Sequence, residues 1–325
     1  MVSFTPQEKL TKTALFTQWT ALIAYGGGGL TLLCAPSLWS TLLGFDLNRR
    51  DEGYIRLSGI YLLALSFIYI VVARAGCSRS KHGPMLSSII ERLVYINGAL
   101  LMFIFRSMTP LYFALLFIIL DSTLALLTFC LWLRETSHAS IVVYFKELFS
   151  SFQKCLSLNQ LAVSSLSVQI IGVLQFIGAA ILMTAPTLIK YPLKLHPFED
   201  YTEGFLSCSF LLISVLGWFH VFAGGAELTY FTIAAVFYRL SFTLPLQCIL
   251  YLCHHIELNV FVFFGSLEFA VALILSFSFV LDKKKHATRI QVFNPTPEPL
   301  EDRNTDNNVI DIIEKDEFIP VSKLS

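Results

Sequence analysis

The sequence is short of charge. Only 14% of its 325 residues are Asp, Glu, Lys or Arg, against about 25% in soluble domains, which excludes an ordinary water-soluble fold. Neither sign is in excess. The 23 basic residues balance 23 acidic ones, so there is no basic face for nucleic acid and no nucleic-acid partner is expected. Catalytic motifs are missing too: there is no HExxH, P-loop, GxSxG or EF-hand loop, and no Asp-rich or multi-His cluster. With no visible nucleophile, metal site or acid–base set, the chain is expected to be no enzyme and to use no cofactor or metal. The seven cysteines form no disulfide framework, and no Asn-x-Ser/Thr sequon with x other than Pro occurs. The first apolar run, from about 14 to 36, is too long for a secretory h-region and is followed by no cleavage site, so it is expected to span.

What the chain has is apolar length. Hydrophobic residues make up 55% of it, Phe alone accounting for 29 positions. A spanning helix needs about 20 mostly apolar residues, and eight segments qualify, near 14–36, 54–74, 85–105, 110–133, 164–187, 204–225, 229–253 and 258–281. Helices are the only plausible reading of runs this long in lipid. The expectation is an all-α polytopic membrane protein whose first partner is the bilayer. Placing the N-terminus in the cytosol puts twelve Lys and Arg residues on that side, among them Lys9, Arg79 and Lys81, against six opposite. Charge and an even span count thus agree on two cytosolic termini.

The two halves echo each other. Ala35-Pro36-Ser37-Leu38 ends the first segment and Ala185-Pro186-Thr187-Leu188 the fifth; Gly53-Tyr54-Ile55 opens the second and Gly204-Phe205-Leu206 the sixth. Arg92-Leu93 pairs with Arg239-Leu240, Gly98 with Pro245, and Asp121 with Glu268, all 147 positions apart. This spacing predicts a tandem repeat of four plus four helices. Four helices per unit make the units parallel about an axis near the membrane normal. The expected organisation is a first repeat over 1–134, a cytosolic connector over 135–163, a second repeat over 164–282 and a disordered cytosolic tail over 283–325.

The connector places Phe145, Leu148, Phe149, Phe152 and Leu156 at helical spacing among Lys146, Glu147, Gln153 and Lys154, the pattern of an interfacial helix. Cys77 and Cys155 stand near the membrane as palmitoylation candidates. Lys283-Lys284-Lys285 is a membrane-edge anchor suited to anionic lipid. Beyond it the tail is Pro-rich over 294–299, acidic, and carries Val309-Ile310-Asp311-Ile312-Ile313 and Phe318-Ile319 as short docking or sorting signals for cytosolic proteins.

The residues that stand out chemically are the charges inside spans. Each costs roughly 2.5–3.5 kcal/mol on insertion scales, so Arg92 with Asp121, and Arg239 with Glu268, are expected to pair across their hairpins. Such pairs either fix helix register or line a polar path. Glu91 has no acidic counterpart and is expected at the cytosolic interface. Gly26-Gly27-Gly28-Gly29 and Gly178 suggest close helix packing or a locally unwound helix; Gly98 and Pro245 suggest a kink or hinge. Cys253-His254-His255 with Glu257 has metal-ligand types but poor helical geometry, and is expected to be a polar collar. His220, near the cytosolic end of the sixth segment, is a lone histidine expected either at the interface or hydrogen-bonded within the bundle.

Ile55-Arg56-Leu57-Ser58-Gly59-Ile60-Tyr61-Leu62-Leu63, after an Ala-Pro turn and a polar loop, resembles the p53-inducible protein eleven family of four-helix membrane proteins. The third and fourth segments, with Arg92-Leu93 and Asp121, are similar to small bacterial four-helix proteins of unknown function. The likeness covers the first half; in the second, Ser207 stands at the Arg56 position and Phe210 at the Gly59 position. It implies an endomembrane protein connected with growth control, and no catalysis. Two functions follow: a scaffold or regulator acting through connector and tail, or a transporter or channel for a small solute, lipid or proton. The scaffold leads; a water-accessible cavity around Arg92, Asp121, Arg239 and Glu268 would reverse that order.

Overall fold

In a computed structural model, residues 10–75, 83–136, 138–156 and 162–293 are described. Expectations for Lys9, Cys77, Arg79, Lys81 and the tail from 294 onward lie outside them, as do the side chains of Lys284 and Lys285. Every regular element among the described residues is helical. Residues Met1–Lys284 form one compact unit, and Lys285–Ser325 a second.

In chain order the helices are α1 (Lys12–Cys34), α2 (Pro36–Leu43), α3 (Arg49–Ala75), α4 (Gly83–Phe105), α5 (Leu111–Glu135), α6 (Ile141–Leu156), α7 (Val163–Thr184), α8 (Thr187–Lys190), α9 (Thr202–Gly225), α10 (Tyr230–Leu252) and α11 (Leu258–Phe293). Seven of them (α3, α4, α5, α7, α9, α10 and α11) are long and apolar enough to cross a membrane; α1 and α2, bent by 100° at their junction, would make an eighth if they count as one span. The bend has a local cause. A residue before proline is pushed out of the α region, and Ala35, before Pro36, sits at φ −139° and ψ 61°. Ala185, before Pro186, takes φ −139° and ψ 66° and ends α7 the same way.

The helices at the centre are α3 and α9. In α9, 83% of the spanning window is buried, against 28% in α5. They touch through small polar side chains: Ser58 Oγ and Ser209 Oγ lie 2.9 Å apart, and Thr202 Oγ1 donates to Asp51 Oδ1 at 2.6 Å. Asn48 starts α3 by accepting the backbone N–H groups of Arg50 and Asp51, both at 2.9 Å, an N-cap that satisfies two orphan donors. Outer helices reach this pair by backbone contact at glycine. A Cβ on Gly29 would stand 2.9 Å from the Gly59 carbonyl oxygen, and one on Gly59 2.7 Å from that of Gly29. Along α7 and α9, Gly172, Gly217 and Gly224 likewise face backbone atoms at 2.5–2.7 Å. Lipid offers no hydrophobic drive between helices, so such close van der Waals contact does that work.

The N-termini of α1 and α7 are held by carboxylates. Glu135, at the end of α5, accepts from the backbone N–H groups of Lys12 and Thr13, the latter at 2.8 Å. Asp282, on α11, accepts from those of Val163 and Ser164 at 2.9 and 2.8 Å. A negative charge at a helix start satisfies orphan donors and opposes the helix dipole.

The connector helix α6 buries Tyr144, Leu148 and Cys155 and exposes Val142, Phe145 and Phe149. Tyr144 Oη donates to the Leu86 carbonyl at 2.9 Å. Cys155 is poorly placed for acylation, the less favoured reading of this thiol beside that of a plain reduced cysteine. It is 6% exposed, its thiol donates to the Val221 carbonyl, and burial pushes the thiol up to about 11.

Glycines that touch backbone and glycines that touch nothing should respond oppositely. Gly29→Val should cost about 1–3 kcal/mol by overpacking, whereas Gly27→Ala, with nothing within 4 Å of its Cβ, should be neutral or gain up to about 1 kcal/mol. Thermal unfolding of each purified variant in detergent reads the difference.

Candidate functional site

Three π-helical turns interrupt the outer helices, over Ala21–Gly27 in α1, Glu91–Ile96 in α4 and Arg239–Thr243 in α10. Such turns insert an extra residue, shift the facing of the side chains around them, and free a carbonyl. Here they carry Tyr25, Glu91 with Arg92, and Arg239. Ser66 Oγ donates at 2.7 Å to the Ala21 carbonyl at the start of the first turn.

The first polar cluster forms around Arg92, which is fully buried. Its guanidinium lies 4.2 Å from the Tyr69 ring centroid and 5.2 Å from that of Tyr25, and the two rings stack at 12°. Arg92 Nε donates to Tyr69 Oη at 2.9 Å; that hydroxyl donates to Glu91 Oε2, also at 2.9 Å. Tyr25 Oη donates to Asp121 Oδ1. Arg92 and Asp121 are therefore linked through the Tyr25 side chain, and their pairing is not among the ion pairs within 4.0 Å of the described residues. Glu91 is fully buried, not interfacial, because the π turn brings it inward beside Arg92. Arg92 Nη1 and Nη2 and Glu91 Oε1 have no hydrogen-bond partner among the described residues.

The second cluster forms around Arg239, and here acid and base meet directly. Arg239 Nε is 2.9 Å from Glu268 Oε2, with both side chains buried. Nη1 donates to the Ala235 carbonyl at 2.9 Å and faces His220 Nε2 at 3.2 Å; Nη2 donates to Gln175 Oε1 at 3.3 Å. The Tyr238 ring covers the guanidinium, 4.6 Å from its centroid. His220 Nδ1 lies 2.5 Å from the Leu216 carbonyl, which can only accept. The proton therefore sits on Nδ1, leaving the Nε2 lone pair for Arg239.

A cavity adjoins each cluster, and the two differ in size. The one beside Asp121 and Tyr25 has a volume of about 60 Å³. The one beside Arg239 and Glu268 has about 360 Å³, its wall built mainly from α7 and α11, with Phe210 and Ile213 of α9 behind. Two features account for the difference. Tyr25 fills its corner and reaches Asp121, whereas Gln175 is shorter and binds Arg239, and the hydroxyl on Glu268 comes from Tyr61 of α3 instead. The α5 backbone also lies close against α1, while that of α11 stands farther off from its neighbours.

The other candidates fall elsewhere. Gly26 lies beside Ser66, Gly28 is in ordinary contact with Leu62, and Gly27, Gly98 and Gly178 have nothing within 4 Å of a Cβ. Gly178 lines the larger cavity. Pro245 follows the π turn of α10 at the second residue of the resumed α-helix. The Cys253–Glu257 segment ties elements together: Arg50 Nε pairs with Glu257 at 3.2 Å, and Arg49 Nη2 donates to the His254 carbonyl at 3.2 Å. The described residues hold no group of three or more His, Cys, Asp or Glu side chains suited to a metal. Sequence reasoning missed Tyr25, Tyr69 and Gln175; their one signal was a hydrogen-bonding side chain in mid-span. No protein-family model, curated protein or solved structure matches the chain.

The two clusters should behave differently in a double-mutant cycle. Removing one member of a buried pair usually costs about 3–5 kcal/mol, and replacing both far less. Arg239→Leu with Glu268→Leu should show a coupling of about 2–3 kcal/mol; Arg92→Leu with Asp121→Leu, bridged only through Tyr25, less than about 1 kcal/mol. Detergent unfolding midpoints of the singles and doubles supply both values.

Proposed function

We propose that this chain is a non-enzymatic, eight-span membrane protein, a tandem parallel repeat of four plus four helices with both termini in the cytosol, and that its second repeat receives a small lipid-like solute for transport or sensing. The observation that carries the functional part is the cavity of about 360 Å³ beside the Arg239–Glu268 pair. Ligand sites are concave and mostly apolar with a few converging polar groups, and this cavity has that character. A continuous pore is not favoured, because the polar groups at each cluster are walled in by buried aromatics.

The repeat is supported by equivalent positions doing equivalent work. Ser58 meets Ser209 and Asp51 meets Thr202, each pair 151 positions apart. Glu135 and Asp282, 147 apart, hold the first helix of their own halves. Gly53 lies under the His255 carbonyl, and Gly204 under that of Met108. The bent α1–α2 pair is then the first span. The likeness to the p53-inducible protein eleven family enters as a statement about membrane architecture alone.

A scaffold role through connector and tail is the second reading, favoured by the exposed apolar row of Val142, Phe145 and Phe149 on α6. In it the tail recruits cytosolic proteins. The segment Lys283, Lys284 and Lys285 holds anionic lipid in either reading.

Tags at the two ends should be digested from the same side of sealed vesicles; opposite sides would mean seven crossings. For the chamber, native mass spectrometry of protein taken from its membrane should detect a lipid-sized adduct on the wild type and on Gly98→Phe, and none on Gly178→Phe, whose side chain would occupy the cavity. Equal occupancy of all three, or of none, removes the chamber reading.

A further inference from the structure

We infer that the cavity of the second half takes an uncharged single-chain amphiphile with one hydroxyl or carbonyl head, which enters sideways from the bilayer between α7 and α11. This rests on the chamber reading above and names what the chamber selects.

The charge of the site comes first. Arg239 and Glu268 neutralise each other at 2.9 Å, and His220 is held as the Nδ1 tautomer against Leu216 and Arg239. A carboxylate or ammonium head would bring in a charge with no counter-charge, and a buried unpaired charge is far more costly than a buried hydroxyl that finds a hydrogen bond. Hydrogen-bonding capacity comes next. Gln175 gives its Oε1 to Arg239; its Nε2, at the cavity wall, donates to no acceptor among the described residues. Glu268 also lines the cavity; Arg239 and the Tyr61 hydroxyl each take one of its contacts, and a carboxylate, with about four lone-pair sites, has acceptor capacity beyond those two. One donor and one acceptor side by side match a hydroxyl, which can accept from Gln175 and donate to Glu268; a carbonyl uses the first contact alone.

Shape and depth fix the rest of the ligand. The remaining wall is apolar: Ile171, Leu174, Leu182, Phe263, Leu267 and Ile274 among others. At roughly 30 Å³ per water-sized group, the volume holds on the order of ten heavy atoms, a head and the first part of a chain. Leu174 is 68% exposed and Ile274 53% exposed, so the rim of the cavity opens on the outer face of the helix pair. Gln175 stands twelve residues into α7, about 18 Å from its start at 1.5 Å per residue, which is near the middle of a hydrocarbon core about 30 Å thick. A solute reaches that depth from lipid, not from water, and only a weakly polar head makes the passage at low cost.

The test uses the full-length protein, stripped of lipid by detergent exchange and offered three tritiated probes of one chain length: oleyl alcohol, oleate and oleylamine. Oleyl alcohol should bind at least about ten-fold tighter than either charged probe, and should lose its binding in Gly178→Phe while keeping it in Gly98→Phe. Glu268→Gln, which leaves Arg239 without its counter-charge, should shift the preference toward oleate wherever the variant remains folded. If oleate or oleylamine binds the wild type best, and Gly178→Phe abolishes that binding, the chamber stands and the uncharged class is wrong. If no probe binds, or binding survives in Gly178→Phe, the chamber itself is wrong.

Discussion

Hydrocarbon offers no hydrogen bonds, and the rest of this structure depends on that constraint. Arg92 and Arg239 are both fully buried in apolar helices, so each must find its partners within the bundle. The π turns help to meet this need, in full for Arg239, whereas Arg92 has one hydrogen bond from Nε and the faces of the Tyr25 and Tyr69 rings. An extra residue at Glu91–Ile96 brings two charged neighbours inward together, and one at Arg239–Thr243 leaves the Ala235 carbonyl beside the Arg239 guanidinium. The partners then constrain the helices that carry them. Tyr69 and His220 lie on α3 and α9, so the two central helices are tied to α4 and α10 by the same hydrogen bonds that keep the arginines out of lipid.

Fold class was legible because it needs only length and apolarity. Several segment limits agree closely with the helices: 204–225 against Thr202–Gly225, and 85–105 against Gly83–Phe105. The last segment, 258–281, agrees with the membrane-capable stretch Leu258–Lys283, and the helix that carries it continues past the lysines to Phe293. The Arg239–Glu268 contact was predictable from depth along a hairpin. The same arithmetic gave Arg92 and Asp121 equal claim and was insufficient, since depth says nothing about a third side chain standing between them. Tyr25 occupies that place, and a tyrosine in an apolar run carries no mark of it. The glycine run suggests close packing or a locally unwound helix; only Gly29 in it meets opposing backbone at under 3 Å, its partner Gly59 lies in another span, and Gly26 and Gly27 end a π turn. Crossing points are set by two helices at once, and one helix's sequence holds half of the information.

The two clusters start from related residues and reach different outcomes. In the first, two stacked tyrosine rings lie against the guanidinium and a tyrosine hydroxyl closes over the acid, leaving about 60 Å³. In the second, a glutamine and a histidine occupy the corresponding places and about 360 Å³ stays open. If the halves descend from one unit, as proposed, the first has its site filled by its own side chains, whereas the second keeps the space for a solute.

An empty cavity of that size is hard to keep. Were it sealed, roughly 24 cal/mol per Å³ would make 360 Å³ cost about 9 kcal/mol, comparable with the whole net stability of a typical domain, about 5–15 kcal/mol. Because the rim faces the bilayer, lipid chains can enter and most of that cost is avoided. A hydrocarbon chain, however, leaves Gln175 Nε2, and the acceptor capacity that Glu268 keeps beyond Arg239 and Tyr61, without partners, and each such group costs about 1–3 kcal/mol. Any bilayer molecule that brings one uncharged polar group along with its chain recovers that energy, so exchange of bulk lipid for such a molecule is downhill. In the proposed reading, selectivity therefore comes from what the Arg239–Glu268 pair leaves unsatisfied after neutralising itself.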